Sequence, residues 1–292
     1  MARSNTARKS QMEDRARQLI CCTTASALML LLLGDAAAQK SQLLKNVELC
    51  NGADRTSPDI QINGCSALID SGEQTPQALV IAYNNRGNAY TTKGEYDRAV
   101  QDYDQSIKLD PSYARAFNNR GVAYQKKGEY DRAINDFDEA IKLDPNYASA
   151  LANRAETYLG KGDYERAVRD FDEAIRVKPT LEVLWNGRCW TKAIIGELQA
   201  ALADCNEALR LDPNVGLALD SRGLIYLKLG LWELAIDDYS SALRFDPKLA
   251  NALYGRGFAK LKNGDQTGEV DVAAAKAIEA TIEGEFARYG VQ

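Results

Sequence analysis

Arginine recurs at Arg86, Arg120, Arg154, Arg188, Arg222 and Arg256, always 34 residues apart, and Asp102, Asp136, Asp170, Asp204 and Asp238 keep the same interval. A guanidinium is a planar fork that grips carboxylates or phosphates through paired hydrogen bonds. Such a row could hold an acidic ligand. The aspartate that follows each of the first five arginines by 16 residues favours the other reading, a ladder of internal ion pairs. Histidine is absent, which removes the commonest general base, the Ser-His and Cys-His nucleophile pairs and every imidazole metal ligand. Acidic stretches such as Asp136-Phe137-Asp138-Glu139 lack the Asp-x-Asp-x-Asp-Gly order of a calcium loop. No glycine-rich phosphate loop occurs. The sequence thus assigns no catalytic residue, no metal ligand and no cofactor, and the expected activity is binding.

Composition narrows the partner. With 45% hydrophobic and 26% charged residues among 292, the chain has the apolar content of a folded protein. Its net charge of −5 argues against a nucleic-acid partner, which calls for clustered Lys and Arg.

The first residues read as an export signal. Arg3, Arg8, Lys9, Arg15 and Arg17 precede an apolar run from Leu19 to Leu33, followed by Ala36, Ala37, Ala38 and Gln39. A basic start, a short apolar stretch and a small-residue end predict cleavage between Ala38 and Gln39. The run is shorter than the roughly 20 apolar residues of a membrane anchor. The expected location is therefore a bacterial periplasm, with no membrane insertion after cleavage. Cys50, Cys65, Cys189 and Cys205 then remain, an even number suited to an oxidising compartment. Local pairing, Cys50 with Cys65 and Cys189 with Cys205, is expected. For the second pair the alternative is two buried free thiols packing as small apolar groups.

The 34-residue period organises the chain from about residue 80 to 264. Proline marks it at Pro111, Pro145, Pro179, Pro213 and Pro247. Within residues 114–147 a first helix to about Lys127 sets Phe117, Gly121 and Tyr124 on one face. Gly128 ends that helix, and a second helix from Tyr130 to Leu143 buries Ala133, Phe137 and Ala140. Pro145 stops the second helix, since the residue before a proline avoids helical geometry. No such unit buries its apolar face alone, so units must stack.

These co-recurring positions resemble the tetratricopeptide repeat (TPR) family. The resemblance implies an all-α, right-handed superhelix of antiparallel helix pairs. The expected repeats are 80–113, 114–147, 148–181, 182–215 and 216–249. A leader (1–38) and a degenerate helical cap (39–79) precede them. Residues 250–292 follow as a partial sixth repeat whose alanine-rich end, 271–289, caps the array.

In this family the first helices line a groove for peptides, which implies a protein or peptide partner here. Carried over position by position, the groove is polar at Asn84, Asn88, Arg115, Asn118 and Gln125. It is apolar at Trp190, Ile194, Leu217, Leu224, Leu227, Phe258 and Leu261. The alternative for the apolar set is burial between repeats or beneath the C-terminal segment. The expected role is a non-enzymatic scaffold or adaptor in the cell envelope; self-association as a structural component is the alternative. Intact-mass analysis of the chain from Gln39 onward, alkylated with and without prior reduction, should reveal four thiols only after reduction.

Overall fold

The computed structural model describes residues 39–52, 57–72 and 74–291. The expected leader, 1–38, lies outside them. Among the described residues there is no strand, and the architecture is an all-α solenoid of consecutive helix pairs. Among them, too, no helix is long and apolar enough to cross a membrane. The described residues divide into two compact units, one up to Leu109 and one from Asp110 onward.

The first unit contains α1 (39–50), α2 (Pro58–Asp70), α3 (Pro76–Thr92) and α4 (Tyr96–Leu109). Ser57 and Thr75 start α2 and α3: each hydroxyl accepts a hydrogen bond from an amide three residues on, and a proline follows at the first helical position. That proline has no amide to leave unpaired. A disulfide joins Cys50 to Cys65, and around it Leu43, Val47, Leu68 and Ala82 form a small core.

The second unit repeats one pair five times: α5 (Ala114–Lys126) with α6 (Tyr130–Leu143), α7 (Ala148–Gly160) with α8 (Tyr164–Val177), α9 (Glu182–Ile195) with α10 (Leu198–Leu211), α11 (Gly216–Lys228) with α12 (Trp232–Phe245), and α13 (Ala250–Lys262) with α14 (Gly268–Ile278). A short helix, α15 (Ile282–Arg288), follows. Each second helix packs on the next first helix, and α7, α9, α11 and α13 also touch in succession.

Local chemistry sets both kinds of turn. Within a pair, Gly128 takes φ of 76°, and the amides of Gly128 and Glu129 return to the carbonyls of Gln125 and Tyr124. A side chain would strain that left-handed geometry. Between pairs, Asp144 is forced out of the helix by Pro145 (φ −135°, ψ 93°), and its carboxylate accepts the amide of Asn146 at 3.0 Å.

Packing within and between pairs depends on missing side chains. A Cβ on Gly121 would lie 2.6 Å from Cε1 of Phe137, and one on Gly187 would lie 2.5 Å from Cζ of Phe171. Tyr239 is lodged in the same way between Gly223 and Gly255. In the α9–α10 pair Cys189 and Cys205 occupy the small and aromatic positions, and a disulfide joins them with the Cα atoms 5.3 Å apart.

The arginines form the internal ladder. Arg188 donates from Nε and Nη2 to both oxygens of Asp204 at 2.8 and 2.6 Å, and from Nη1 to Asp172 of the preceding pair at 2.6 Å. Arg154 does the same with Asp170 and Asp138, and Arg222 with Asp238 and Asn206. One guanidinium therefore ties two helices of its own pair and one of the last.

The C-terminal segment differs from its expected form. Residues 271–289 are not one capping helix, because α14 is the second helix of the last pair, α13–α14, and α15 breaks from it at Glu279–Thr281. Gly257 and Gly268 let the α13 and α14 backbones meet: a Cβ on Gly268 would sit 2.3 Å from the Gly257 carbonyl. Asp271 answers Arg256 at 2.7 and 2.8 Å, 15 residues away rather than 16.

Gly121→Val should lower unfolding free energy by roughly 1–3 kcal/mol through overpacking against Phe137. Urea denaturation followed by circular dichroism would measure it.

Candidate functional site

In the second unit, the first helices of successive pairs enclose a groove cavity of about 320 Å³. Its apolar wall is Leu159, Val183, Trp190 and Leu217; its polar residues are Glu156, Asn186, Asp220, Ser221 and Asn251. Leu217 is 58% exposed, an unusual state for a leucine beside a tryptophan. The ring of Trp190 is held edge-on by Tyr289, centroids 5.2 Å apart. On the other side of Trp190, a second cavity of about 400 Å³ is lined by Ile194, Tyr164, Lys161, Glu285, Arg288 and Tyr289.

The groove floor is electrostatically unusual. Asp220 is 4% exposed, and burial pushes its carboxyl up from 3.8 to about 7. Its Oδ1 has no hydrogen-bond partner, nor do Oδ1 of Asn186 and the hydroxyl of Tyr239. Burial, then the charges of Asp220 and Asp238, raise the Tyr239 phenol well above its ordinary value. The Glu156 side chain reaches solvent from the groove wall, yet the surrounding protein raises its carboxyl too, against the opposing pull of Lys126. No Lys or Arg lines this cavity. Among the described residues, no cluster of three acidic or thiol groups could hold a metal.

The residues expected to line one long groove are dispersed. Trp190 and Leu217 meet at the main cavity, and Ile194 lies at the second. Leu224 and Leu227 are 1% and 3% exposed, sealed in a core with Ile282, Phe286 and Val291. They are not groove residues, because the C-terminal segment covers them. Phe258 stacks on Tyr254, which packs on Phe286, and Leu261 turns toward Gly268 of α14.

The asparagines expected as a polar lining are internal struts. Asn84 and Asn118 are buried. Asn118 donates to Asn119 and accepts from Asn153 at 2.9 Å, and Asn88 accepts the Tyr103 hydroxyl at 2.8 Å. Arg115 is exposed on α5 and Gln125 half-buried. These positions are taken up by the scaffold or sit away from the cavity.

Asn186 and Asp220 were the residues that sequence reasoning missed. The signal was present, since both lie on the 34-residue register of Asn84 and Asn118. Tyr239 carries a second signal. Tyr103 bonds to Asn88 and Thr91, and the same register opposite Tyr239 holds Leu224 and Leu227, which offer it nothing.

Comparison with known proteins accords with this geometry. Residues 87–128 and 223–264 match a family model described as TPR repeat, and 114–147 and 137–169 match models described as tetratricopeptide repeat. Residues 87–169 and 223–264 are thus tetratricopeptide repeats.

Among solved structures, a tetratricopeptide repeat protein from Parabacteroides merdae aligns over 86% of this chain and 99% of its own, at 18% identity and a TM-score of 0.66. The pilF protein of Pseudomonas aeruginosa aligns over 73% and 99%, at 18% identity and 0.63. A thermophilic TPR protein of Thermus thermophilus aligns over 62% and 99%, at 23% identity and 0.52. At these identities the likeness is one of fold. No curated protein matches the chain. A TPR solenoid is an architecture of protein–protein interaction scaffolds, which typically carry no catalysis.

The raised Asp220 carboxyl means the folded TPR protein holds a proton that the unfolded chain releases between pH 3.8 and about 7. Stability should fall as pH rises across that window and level off above it. Asp220→Asn should remove this slope. At pH 8 it should be more stable than the parent by roughly 1–4 kcal/mol, and at pH 4 nearly equal, by urea titration at both pH values.

Proposed function

We propose that this TPR protein is a non-enzymatic adaptor of the cell envelope that holds a peptide or protein segment in the groove along α7, α9, α11 and α13. One observation carries the reading. Val183, Trp190 and Leu217 form an open apolar wall directly above buried polar atoms that the protein itself leaves unpaired. Apolar anchors around a few fixed polar groups are how a groove holds an extended ligand. Elsewhere on this unit, ion pairs such as Arg210 with Glu207 and Arg176 with Glu173 take up part of the surface. The disulfides Cys50–Cys65 and Cys189–Cys205 support an oxidising compartment, as does the basic and apolar start of the chain.

The test compares capture from envelope extract by the parent and by a Trp190→Ala/Leu217→Ser variant of equal helicity. These substitutions remove anchors without adding charge. A partner retained by the parent and reduced at least about tenfold by the variant is the expected result, since each lost anchor costs more than about 1 kcal/mol. Equal capture would place the binding surface elsewhere.

A further inference from the structure

A buried polar atom without a hydrogen bond costs about 1–3 kcal/mol, so native proteins rarely keep one without a use. Here such atoms gather in one place: Oδ1 of Asn186 on α9, Oδ1 of Asp220 on α11 and the hydroxyl of Tyr239 on α12. The first two residues line the groove cavity, and Tyr239 lies near enough to Asp220 to feel its charge. The unpaired oxygens of these two residues are acceptors. Glu156 adds a second carboxylate to the lining, and no Lys or Arg lines the cavity, Lys126 acting on Glu156 from outside it. The missing component is therefore a positive group with hydrogen to donate.

The walls specify its carrier. Leu159, Val183, Trp190 and Leu217 would cover an aliphatic stem, and the indole offers a face attractive to a cation. A divalent metal needs more ligands than are present, since among the described residues no metal-competent cluster exists. A guanidinium favours two oxygens of one carboxylate side by side. Asp220 and Asn186 stand on different helices, α11 and α9, which suits the diverging N–H bonds of an ammonium.

We propose that the groove recognises a lysine side chain of its bound peptide, with the ammonium donating to Asp220 and Asn186 and the stem lying against Trp190 and Leu217. This rests on the groove being the peptide site. It narrows the partner to a segment that places a lysine among apolar residues. The ammonium supplies the donor that burial has withdrawn from Asp220 and a positive charge that favours its ionised carboxylate.

The test uses an array of random decapeptides, acetylated and amidated so that lysine carries the ammonium, probed with the purified protein. Peptides lost by the Trp190→Ala/Leu217→Ser variant are the groove ligands. Each of their lysines is then replaced by norleucine or by arginine, and affinity is read by fluorescence anisotropy. One lysine should prove critical: norleucine there should weaken binding roughly ten- to a hundredfold, with arginine also weaker than lysine. Asp220→Asn should abolish most of the difference between lysine and norleucine. Asn186→Leu, checked for helicity alongside it, should shrink the difference as well.

Groove-dependent peptides indifferent to norleucine would overturn the lysine assignment and leave the groove intact. Arginine binding as tightly as lysine would overturn the choice of ammonium. If no peptide depended on Trp190 and Leu217, the groove itself would be the wrong site.

Discussion

An aromatic ring lodged where the neighbouring helix has no side chain sets the spacing between helices in the second unit. Phe137 lies over Gly121, Phe171 against Gly187 of the next pair, and Tyr239 between Gly223 and Gly255. The ring thus belongs to two pairs at once. Close packing of this kind collects many weak dispersion contacts and tolerates little change in volume. The arginine ladder follows the same geometry. Only when helices stand at this separation can Arg188 reach both oxygens of Asp204 and still touch Asp172.

The α9–α10 pair lacks the ring and keeps the spacing by a covalent route. Cys189 and Cys205 stand where a small residue and an aromatic stand in the other pairs, and their bond lies in a core of Ala193, Ala201 and Ile225. Closing a loop of this length contributes about 3 kcal/mol in the chain-entropy account. The staple also bears on function. Cys189 precedes Trp190 and lies within one turn of Asn186, so it fixes the helix that presents both to the groove. Lys192 adds a second cation on Asp204 in the same pair.

The groove exists because the repeat changes its polar partners there. In the first unit the Tyr103 hydroxyl is served by Asn88 and Thr91. Opposite Tyr239 the corresponding residues are leucines, which fill a core against Phe286 and Ile282 and leave the phenol unpaired. Apolar burial gained beneath α15 and polar satisfaction lost beneath the groove are two results of one substitution pattern. The consequence is a buried polar floor with unpaired oxygens beside an open apolar wall.

Periodicity is a local property of the chain, so helix pairs, glycine turns, proline stops and the arginine–aspartate ladder could all be read from Arg86 to Arg256 without coordinates. The local cysteine spacing likewise suggested the pairing that the structure contains. Asp271 escaped because a 15-residue offset stepped off the register. The groove was less legible. A 34-residue register treats Asn84, Asn118, Asn186 and Asp220 alike, and likewise Asn88, Trp190 and Leu224. It contains no information on what covers each copy. Coverage is decided by α15, which folds back from residues 282–288 to seal Leu224 and Leu227 while leaving Leu217 open. Local sequence determined the repeated unit; the long-range packing of its last helix decided which copies face solvent, because burial depends on neighbours remote in the chain.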